Sequence, residues 1–275
     1  MTIDELRDAQ AALEDRPEPS GEAALALLDR VLTELESGRL RAAEPTDHGW
    51  VVNAWVKRSI LWGFRFAGDR DVSVGVFHFR DREAFSTLTP GSGVRIVPGG
   101  STVRRGVHLA PGVVVMPPAY VNVGAFVGEG SMVDSHVLVG SCAQIGRRVH
   151  LSAAVQVGGV LEPVGAMPVI VENDVFIGGG CGVYEGTRIS AHAVLAPGVV
   201  LTRAVALYDL VNEQVLRADQ NGILVVPERA VLVPGTRPVT GGMGQELKLG
   251  LQAPMIVKYR DAGTDAALAL EEALR

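Results

Sequence analysis

Aromatic residues are scarce in this chain, with Phe, Trp and Tyr together making up 5% of its 275 residues. Cysteine is scarcer still: Cys142 and Cys181 form no CxxC pair and no metal-ligand spacing, and free thiols fit a reducing compartment. No run approaches the roughly 20 apolar residues needed to cross a bilayer. The opening MTIDELRDAQ is charged where a signal peptide would be apolar, so a cytoplasmic protein with no membrane partner is expected. A basic excess is missing too. The net charge of -6 argues against a general nucleic-acid binder, although a few local arginines suffice to hold a small anion. What the chain does have is glycine, 33 residues of it. Many glycines with few rings point to repeated tight turns around a narrow core.

An internal repeat supplies that core. From Val103 an aliphatic residue recurs every six positions: Val103, Leu109, Val115, Val121, Val127, Val133, Val139, Ile145, Leu151 and Val157. Four residues after each stands a second small or aliphatic residue, from Val107 and Val113 to Val155 and Leu161. After a two-residue slip the series resumes at Val171, Ile177, Val183, Ile189, Leu195 and Leu201, making sixteen hexads in two blocks. A six-residue period at 100° per residue scatters apolar positions around a helix, so the α-helical reading fails. The economical solution is a prism, in which each hexad is one short strand and a corner and three hexads make one coil. Coils stacked as parallel strands about 4.8 Å apart give about five turns and a prism roughly 25 Å long. A glycine-rich α/β sheet is the alternative, and in-phase hexads of this number argue against it.

Around the prism the sequence predicts simpler elements. Residues 20–40 read as a helix with Ser20 as N-cap and Gly38 as its stop. Residues 50–66 read as a helix or strand-helix unit with Trp55, Ile60, Leu61 and Phe64 toward a core, serving as a cap on the first coil. PVGAMPVI, residues 163–170, reads as a loop ejected from the prism. YDLVNEQVLRADQNGILVV reads as a hairpin turning at or near Asn221-Gly222. One further hexad runs from Val226 to Leu232, followed by a strand-like LKLGLQAPMIVKYR and a final amphipathic helix, DAALALEEALR. The expected division is a helical or mixed domain at 1–94, the β-helix at 95–235 and a C-terminal extension at 236–275.

Several runs are more specific than the repeat. RIVPGGSTVRRG, VVMPPAYVNVGAFVGEGSMVDS, VGSCAQIGRRVHLS and VGGVLEP, with the earlier GWVVNAWVKRSILWGFR, resemble the tetrahydrodipicolinate N-succinyltransferase family of hexapeptide-repeat acyltransferases. The resemblance implies a left-handed parallel β-helix and a homotrimer with CoA in the groove between neighbouring prisms. It implies succinyl-CoA as co-substrate, with no permanently bound cofactor. The implied acceptor is tetrahydrodipicolinate in its hydrated or ring-opened amino-dicarboxylate form, as in lysine and diaminopimelate biosynthesis. By the same resemblance Arg95 matches the substrate-binding arginine of the R-x-V-P run, and Asp134 the acidic residue of M-V-D.

Physical roles follow from these matches. Arg95 suits bidentate binding of one acceptor carboxylate; its bland counterpart is a surface ion pair. Asp134 suits orienting or deprotonating the attacking amine; its bland counterpart is a corner Asp bonding its own backbone. Gly158, Gly159, Gly179 and Gly180 are candidates for bonding pantetheine or an oxyanion through their backbone, against the plainer account of corner glycines.

The chain also departs from the family. Where F-I-G-A-R-S-E-x-x-E-G is expected it reads FIGGGCGVYEG, so Gly180 replaces Arg, Cys181 replaces Ser and Gly182 replaces a glutamate that is a catalytic candidate. His136 stands where the family has Trp. Asp134, His136 and Glu185 are then the candidates for proton transfer, taken to lie in reach of one face, while Cys181 at an inward position is expected to pack. A diverged paralogue with another acceptor or with acetyl-CoA, and a non-catalytic binding prism, are the alternatives; a nucleotide-sugar acyltransferase fits MVDS and VGSCAQIG less well. A zinc hydrase on the same scaffold is disfavoured because the six histidines include no H-x4-H pair, and no metal is expected.

Overall fold

The computed structural model describes residues 1–16, 20–261 and 263. From residue 95 the chain winds into a prism of two- to four-residue strands joined by tight corners, and each strand pairs in parallel with the one a coil later. The first face carries Arg95–Ile96, Val114–Val115, Met132–Val133, His150–Leu151, Phe176–Ile177, Val194–Leu195 and Ala230–Val233. The second carries strands from Thr102–Val103 to Val200–Leu201, and the third strands from His108–Leu109 to Leu224–Val226; each is six-stranded. This is the parallel β-helix the repeat called for, with the left hand that the family resemblance implied.

The hexad residues fill its axis. Val115, Val121, Val127, Val133, Val139, Ile145, Leu151, Val157, Val171 and Ile177 are all fully buried in one continuous column, together with most four-residue companions. Leu161 is the exception. It lies in the excursion between Val157 and Ile170 and packs on the N-terminal helices, while Val169 takes the inward place and accepts the coil bond from Gln144. The prism also starts a strand earlier than the repeat does. Ile96 precedes Val103 by seven positions because Gly99-Gly100 adds a residue to the corner.

The helices do not close the first coil. Helix α1 (Ile3–Glu14), α2 (Gly21–Glu36) and α3 (Ala54–Phe66) form a second core that lies along one edge of the prism, burying Val123 and Cys142 from two successive coils. Helix α1 starts with a Thr2–Glu5 capping box. Helix α2 starts as expected on Ser20, whose hydroxyl accepts from Ala23 N–H, and Gly38 follows its C-cap in the left-handed region at φ +76°. Trp55 and Ile60 are buried, but Leu61 and Phe64 are only half-buried and the fully enclosed neighbours are Val56 and Lys57. Lys57 donates to Ala166 O at 2.6 Å and so ties α3 to the excursion.

The C-terminal segment seals the far end. The hairpin here is Leu207–Asp209 against Gln214–Leu216, turning at residues 210–213, not at Asn221-Gly222. The Asn221-Gly222 turn instead returns the chain to the prism as Leu224–Val226. Met255–Tyr259 then inserts between the hairpin and the last strand of the first face, covering its open edge. Residues 242–246 form a short helix that the sequence reading lacks. The expected terminal helix DAALALEEALR lies outside the described residues.

Asp209 pins this seal. Its carboxylate is 1% exposed and accepts from the Tyr259 hydroxyl at 2.7 Å, from Asn212 Nδ2 at 2.8 Å and from Gln214 Nε2 at 3.2 Å. Burial pushes its pKa up, but the hydrogen bonds from Asn212, Tyr259 and Gln214 outweigh burial and hold it at about 2. A carboxylate held below its ordinary 3.8 contributes stability that is present above pH 3.8 and lost as the pH falls through about 2. Asp209→Asn is therefore expected to cost about 2 kcal/mol at pH 7. Thermal melts from pH 5 to 2 should show the wild type losing this advantage while the variant changes less.

Candidate active site

The corners of the prism decide which side chains can meet. Between the first and second faces, successive coils place Asp134-Ser135-His136, Ser152-Ala153-Ala154 and Gly178-Gly179-Gly180 one above another. Their stacking is fixed by backbone bonds: His136 N–H donates to Pro118 O, Ala154 N–H to Ser135 O and Gly180 N–H to Ala153 O. The third residue of each corner is left-handed, His136 at φ 63°, Ala154 at 63° and Gly180 at 68°. The hexad turn requires that conformation, which accounts for Gly180 without any ligand.

Asp134 serves its corner and faces outward at once. Its Oδ1 accepts from Ser135 N–H at 2.7 Å, the corner bond expected of a turn aspartate, while Oδ2 stands 3.9 Å from His150 Nε2. His150 comes from the outer file of the first face, its side chain 8% exposed, and meets the Phe176 ring edge-on at 5.1 Å. With Met132 and Phe176 as apolar walls, the part-exposed carboxylate can accept a proton from an amine, while the imidazole, its Nε2 closed off from solvent, stands behind it. Sequence reasoning passed over His150. Its place on the coil after Asp134 could have been counted from the hexads, although nothing periodic marks the residue type there.

His136 shares the corner but not the pair: it is exposed, and its carbonyl accepts from Gln156 Nε2. Arg95 is exposed on the same face, on the first strand, with Val114 between it and Met132. Two rungs separate Arg95 from Met132, about 10 Å at parallel-strand spacing.

Glu185 lies elsewhere. It occupies the corner between the second and third faces, with Gly158 and Gly159 on the coil before it, so within one chain a full face separates it from Asp134 and His136. The expectation that these three share one face is corrected by the strand order. The glycines divide likewise. Gly158 N–H donates to Val183 O and Gly180 N–H to Ala153 O, so both are spent in the coil ladder. Among the described residues no partner within the chain meets the N–H of Gly159 or Gly179. Gly159 also has a packing reason, because a Cβ there would stand 2.6 Å from Ser141 N.

The third face is occupied. Arg41 stacks over the Phe126 ring at 3.8 Å and donates through Nε to Gln144, Phe126 stacks on His108 at 4.6 Å, and His108 Nδ1 bonds Glu36 O. Burial pulls the Arg41 pKa down to about 10. Trp50 bonds Glu172 across a cavity of about 370 Å³, and Glu172 is also held by Arg188 and Ala191 N–H. Among the described residues nothing covers the first and second faces, and apart from buried His150 and Gly182 their outer files are open and mostly apolar: Val114, Met132, Phe176 and Val194 on one, Tyr120, Leu138 and Val200 on the other.

Neither cysteine is a nucleophile. Both are buried, burial pushes the Cys142 thiol up to about 12, and Cys181 is likewise raised. A thiol raised in the folded state contributes stability that is complete below its ordinary value of 9 and fades toward pH 12. At pH 8 the native protein should release no colour with an aromatic disulfide reagent over an hour, and two equivalents once unfolded in guanidinium.

A prism wound from hexads is the scaffold of the hexapeptide-repeat proteins, and the relatives of this chain place it among the acyltransferases. Residues 1–66 match the N-terminal domain of the tetrahydrodipicolinate N-succinyltransferases. The chain is 40% identical to the 2,3,4,5-tetrahydropyridine-2,6-dicarboxylate N-succinyltransferase of Azoarcus sp. (strain BH72), over 99% of this chain and 97% of that one. It is 43% identical to the enzyme of that name from Psychrobacter cryohalolentis, over 90% and 89%. A solved hexapeptide-repeat acetyltransferase from Vibrio cholerae, complexed with acetyl-CoA, shares 14% identity over 77% of this chain and 82% of that one, with a TM-score of 0.34. The chain belongs to the tetrahydrodipicolinate N-succinyltransferase family.

Proposed function

We propose that this chain transfers a succinyl group from succinyl-CoA to the amine of ring-opened tetrahydrodipicolinate, in a site completed by a second copy within a homotrimer. The observation that carries the reading is the Asp134–His150 pair beside Arg95 on one uncovered face. The Arg95 guanidinium offers a planar fork to one carboxylate of the acceptor, from a strand whose backbone lies two rungs, about 10 Å, from that of Met132 beside Asp134. The amine nitrogen attacks the thioester carbonyl, the C–N bond forms and the C–S bond breaks. The amine proton passes to Asp134, with the buried imidazole of His150 behind it, and from there to the departing CoA sulfur. A thioester needs little activation, so positioning supplies much of the acceleration.

Assembly is supported by what is left uncovered. A two-sided apolar prism needs neighbours, and the hairpin Asp69–Asp71/Arg80–Arg82 carries Val74, Val76, Phe77 and Phe79 at 72, 83, 65 and 56% exposure. Packing the first face of one prism near the second face of the next brings Glu185, Gly158 and Gly159 of one chain toward Asp134 of its neighbour. CoA then lies in the slot between them, with the free N–H of Gly159 or Gly179 available to its amides or to the oxyanion. The reading keeps residues 1–94 as the lateral helical unit, 95–235 as the catalytic prism and 236–275 as the seal, in a cytoplasmic protein.

A diverged donor or acceptor is the second reading, favoured by Gly182 and Gly180 where the family has Glu and Arg. A thiol-release assay with succinyl-CoA and acetyl-CoA, each against tetrahydrodipicolinate and 2-aminopimelate, separates the two. Turnover with succinyl-CoA and tetrahydrodipicolinate supports the first. Turnover only with another pair supports divergence, and no turnover with any pair leaves neither standing. Sedimentation on the same preparation tests the trimer.

A further inference from the structure

The outer file of the second face has one anomaly. Thr102, Tyr120, Leu138, Gln156 and Val200 are all half-exposed, yet Gly182 in the same file, with no side chain at all, is buried. The cover is the Tyr184 ring. A Cβ built on Gly182 would stand 2.6 Å from Tyr184 Cε2 and 3.0 Å from both Cζ and the hydroxyl oxygen. One coil earlier, a Cβ on Gly158 would meet Tyr184 Cα at 3.2 Å and Cδ1 at 3.3 Å. Neither glycine has a positive φ, so the turn does not ask for glycine at either position. In its present place the ring leaves no room for a side chain at 182, where a Cβ would make the ring swing away.

We propose that Tyr184 is a substrate-contacting residue of the transfer site, its ring seated on the shelf of Gly158 and Gly182 and its hydroxyl offered to the acceptor amine. This deepens the acyl-transfer reading and rests on it. Tyr184 is 38% exposed, and among the described residues its hydroxyl has no partner within the chain, so the group is available to a ligand. It sits beside Glu185 on the corner that a neighbouring copy would bring against Asp134. A phenol hydroxyl both donates and accepts. Accepting an N–H from the amine turns the nitrogen lone pair toward the thioester, while the proton lost on C–N bond formation still passes to Asp134. The side chain absent at position 182 is thus replaced from two residues along the same strand and corner, by a group that is polar but carries no carboxylate. Glycine at 182 and tyrosine at 184 form one device.

The test is steady-state thiol release with succinyl-CoA and tetrahydrodipicolinate, using the full-length wild type, Tyr184→Phe, Gly182→Ala and the double variant, with a thermal melt of each. Tyr184→Phe keeps the ring and its packing, so the melt should not move while kcat/KM for the acceptor falls about tenfold, the scale of one lost hydrogen bond to a reacting group. The KM for succinyl-CoA should stay within twofold. Gly182→Ala displaces the ring and should give a similar loss, and the double variant should be no worse than either alone. If Tyr184→Phe retains kcat/KM within twofold of an active wild type, the assignment of Tyr184 is overturned while the acyl-transfer reading stands. If the wild type turns over neither this pair nor any other, both fall. Should Gly182→Ala fail to fold, Tyr184→Phe decides alone.

Discussion

Asp134→Asn should lower the rate of succinyl transfer at least tenfold, and as much as about 10⁴-fold, without changing assembly or melting temperature. The upper figure is the usual range for a positioned acid–base group, and the lower one allows for the share that positioning of a reactive thioester retains on its own. Asparagine is chosen because the Asp134 carboxylate has two tasks. Its Oδ1 closes the corner on Ser135 N–H, and an amide oxygen accepts that bond equally well. Its Oδ2 faces His150 at 3.9 Å, and there an amide can donate but cannot take a proton. The variant therefore separates the structural duty from the chemical one. Thiol release, read beside gel filtration and a thermal melt, measures both. Unchanged kinetics would remove Asp134 from the mechanism and leave it a corner residue.

Ile177→Ala should destabilise the protein by about 3 kcal/mol, within the usual 2–5 kcal/mol for deleting a buried aliphatic side chain. Ile177 is fully buried in the inward file of the first face, between Leu151 on the preceding coil and Leu195 on the next. A column one residue wide has nothing to slide into the gap, because each neighbour is held by its own strand and corner. Relaxation is restricted and the cavity remains. The loss is expected in the denaturant midpoint, with the slope unchanged. A loss below about 1 kcal/mol would mean that the file is not the continuous packed column described here.

The column itself was legible from the residues alone, because coil stacking forces the six-residue period and leaves no freedom at the inward position. Helix α2 was equally legible, with Ser20 and Gly38 marking its ends. The Val226 hexad also read correctly, whereas the loop read at 163–170 in fact leaves the prism after Val157, taking Leu161 with it, and is back in place by Val169. The misses have local causes. Gly99-Gly100 adds one residue to a corner and puts the strand at Ile96 out of phase with the hexads, although the expected β-helix already began at 95. Asn221-Gly222 carries the signature of a hairpin turn, but the segment before it pairs with Leu207–Asp209 and the one after it with the prism, not with each other. Placing the helices over the first coil failed because the surface they bury, Val123 and Cys142, lies at corner positions that the inward repeat does not mark.

The site was legible in part. Asp134 and Arg95 emerged from motifs, and the strand order places both on the first face. Glu185 came from the same kind of match but lands on another corner, which no spacing along one chain could reveal without the face assignments. His150 was missed because outward hexad positions tolerate any residue, so its identity carried no periodic signal. Gly182 was read only as the loss of the glutamate that the family resemblance implies. Only the fold shows the Tyr184 ring lying over it, where a side chain would otherwise stand.

The most direct measurement is a crystal structure of the protein with CoA and 2-aminopimelate. The account predicts three chains around an axis, with the CoA sulfur in the slot between two prisms. Asp134 of one chain, with His150 behind it, should face the amine, and Tyr184 of the next should lie on its other side. CoA in the cavity between Arg41 and Trp50, or bound to a monomer with its sulfur remote from Asp134, would contradict it.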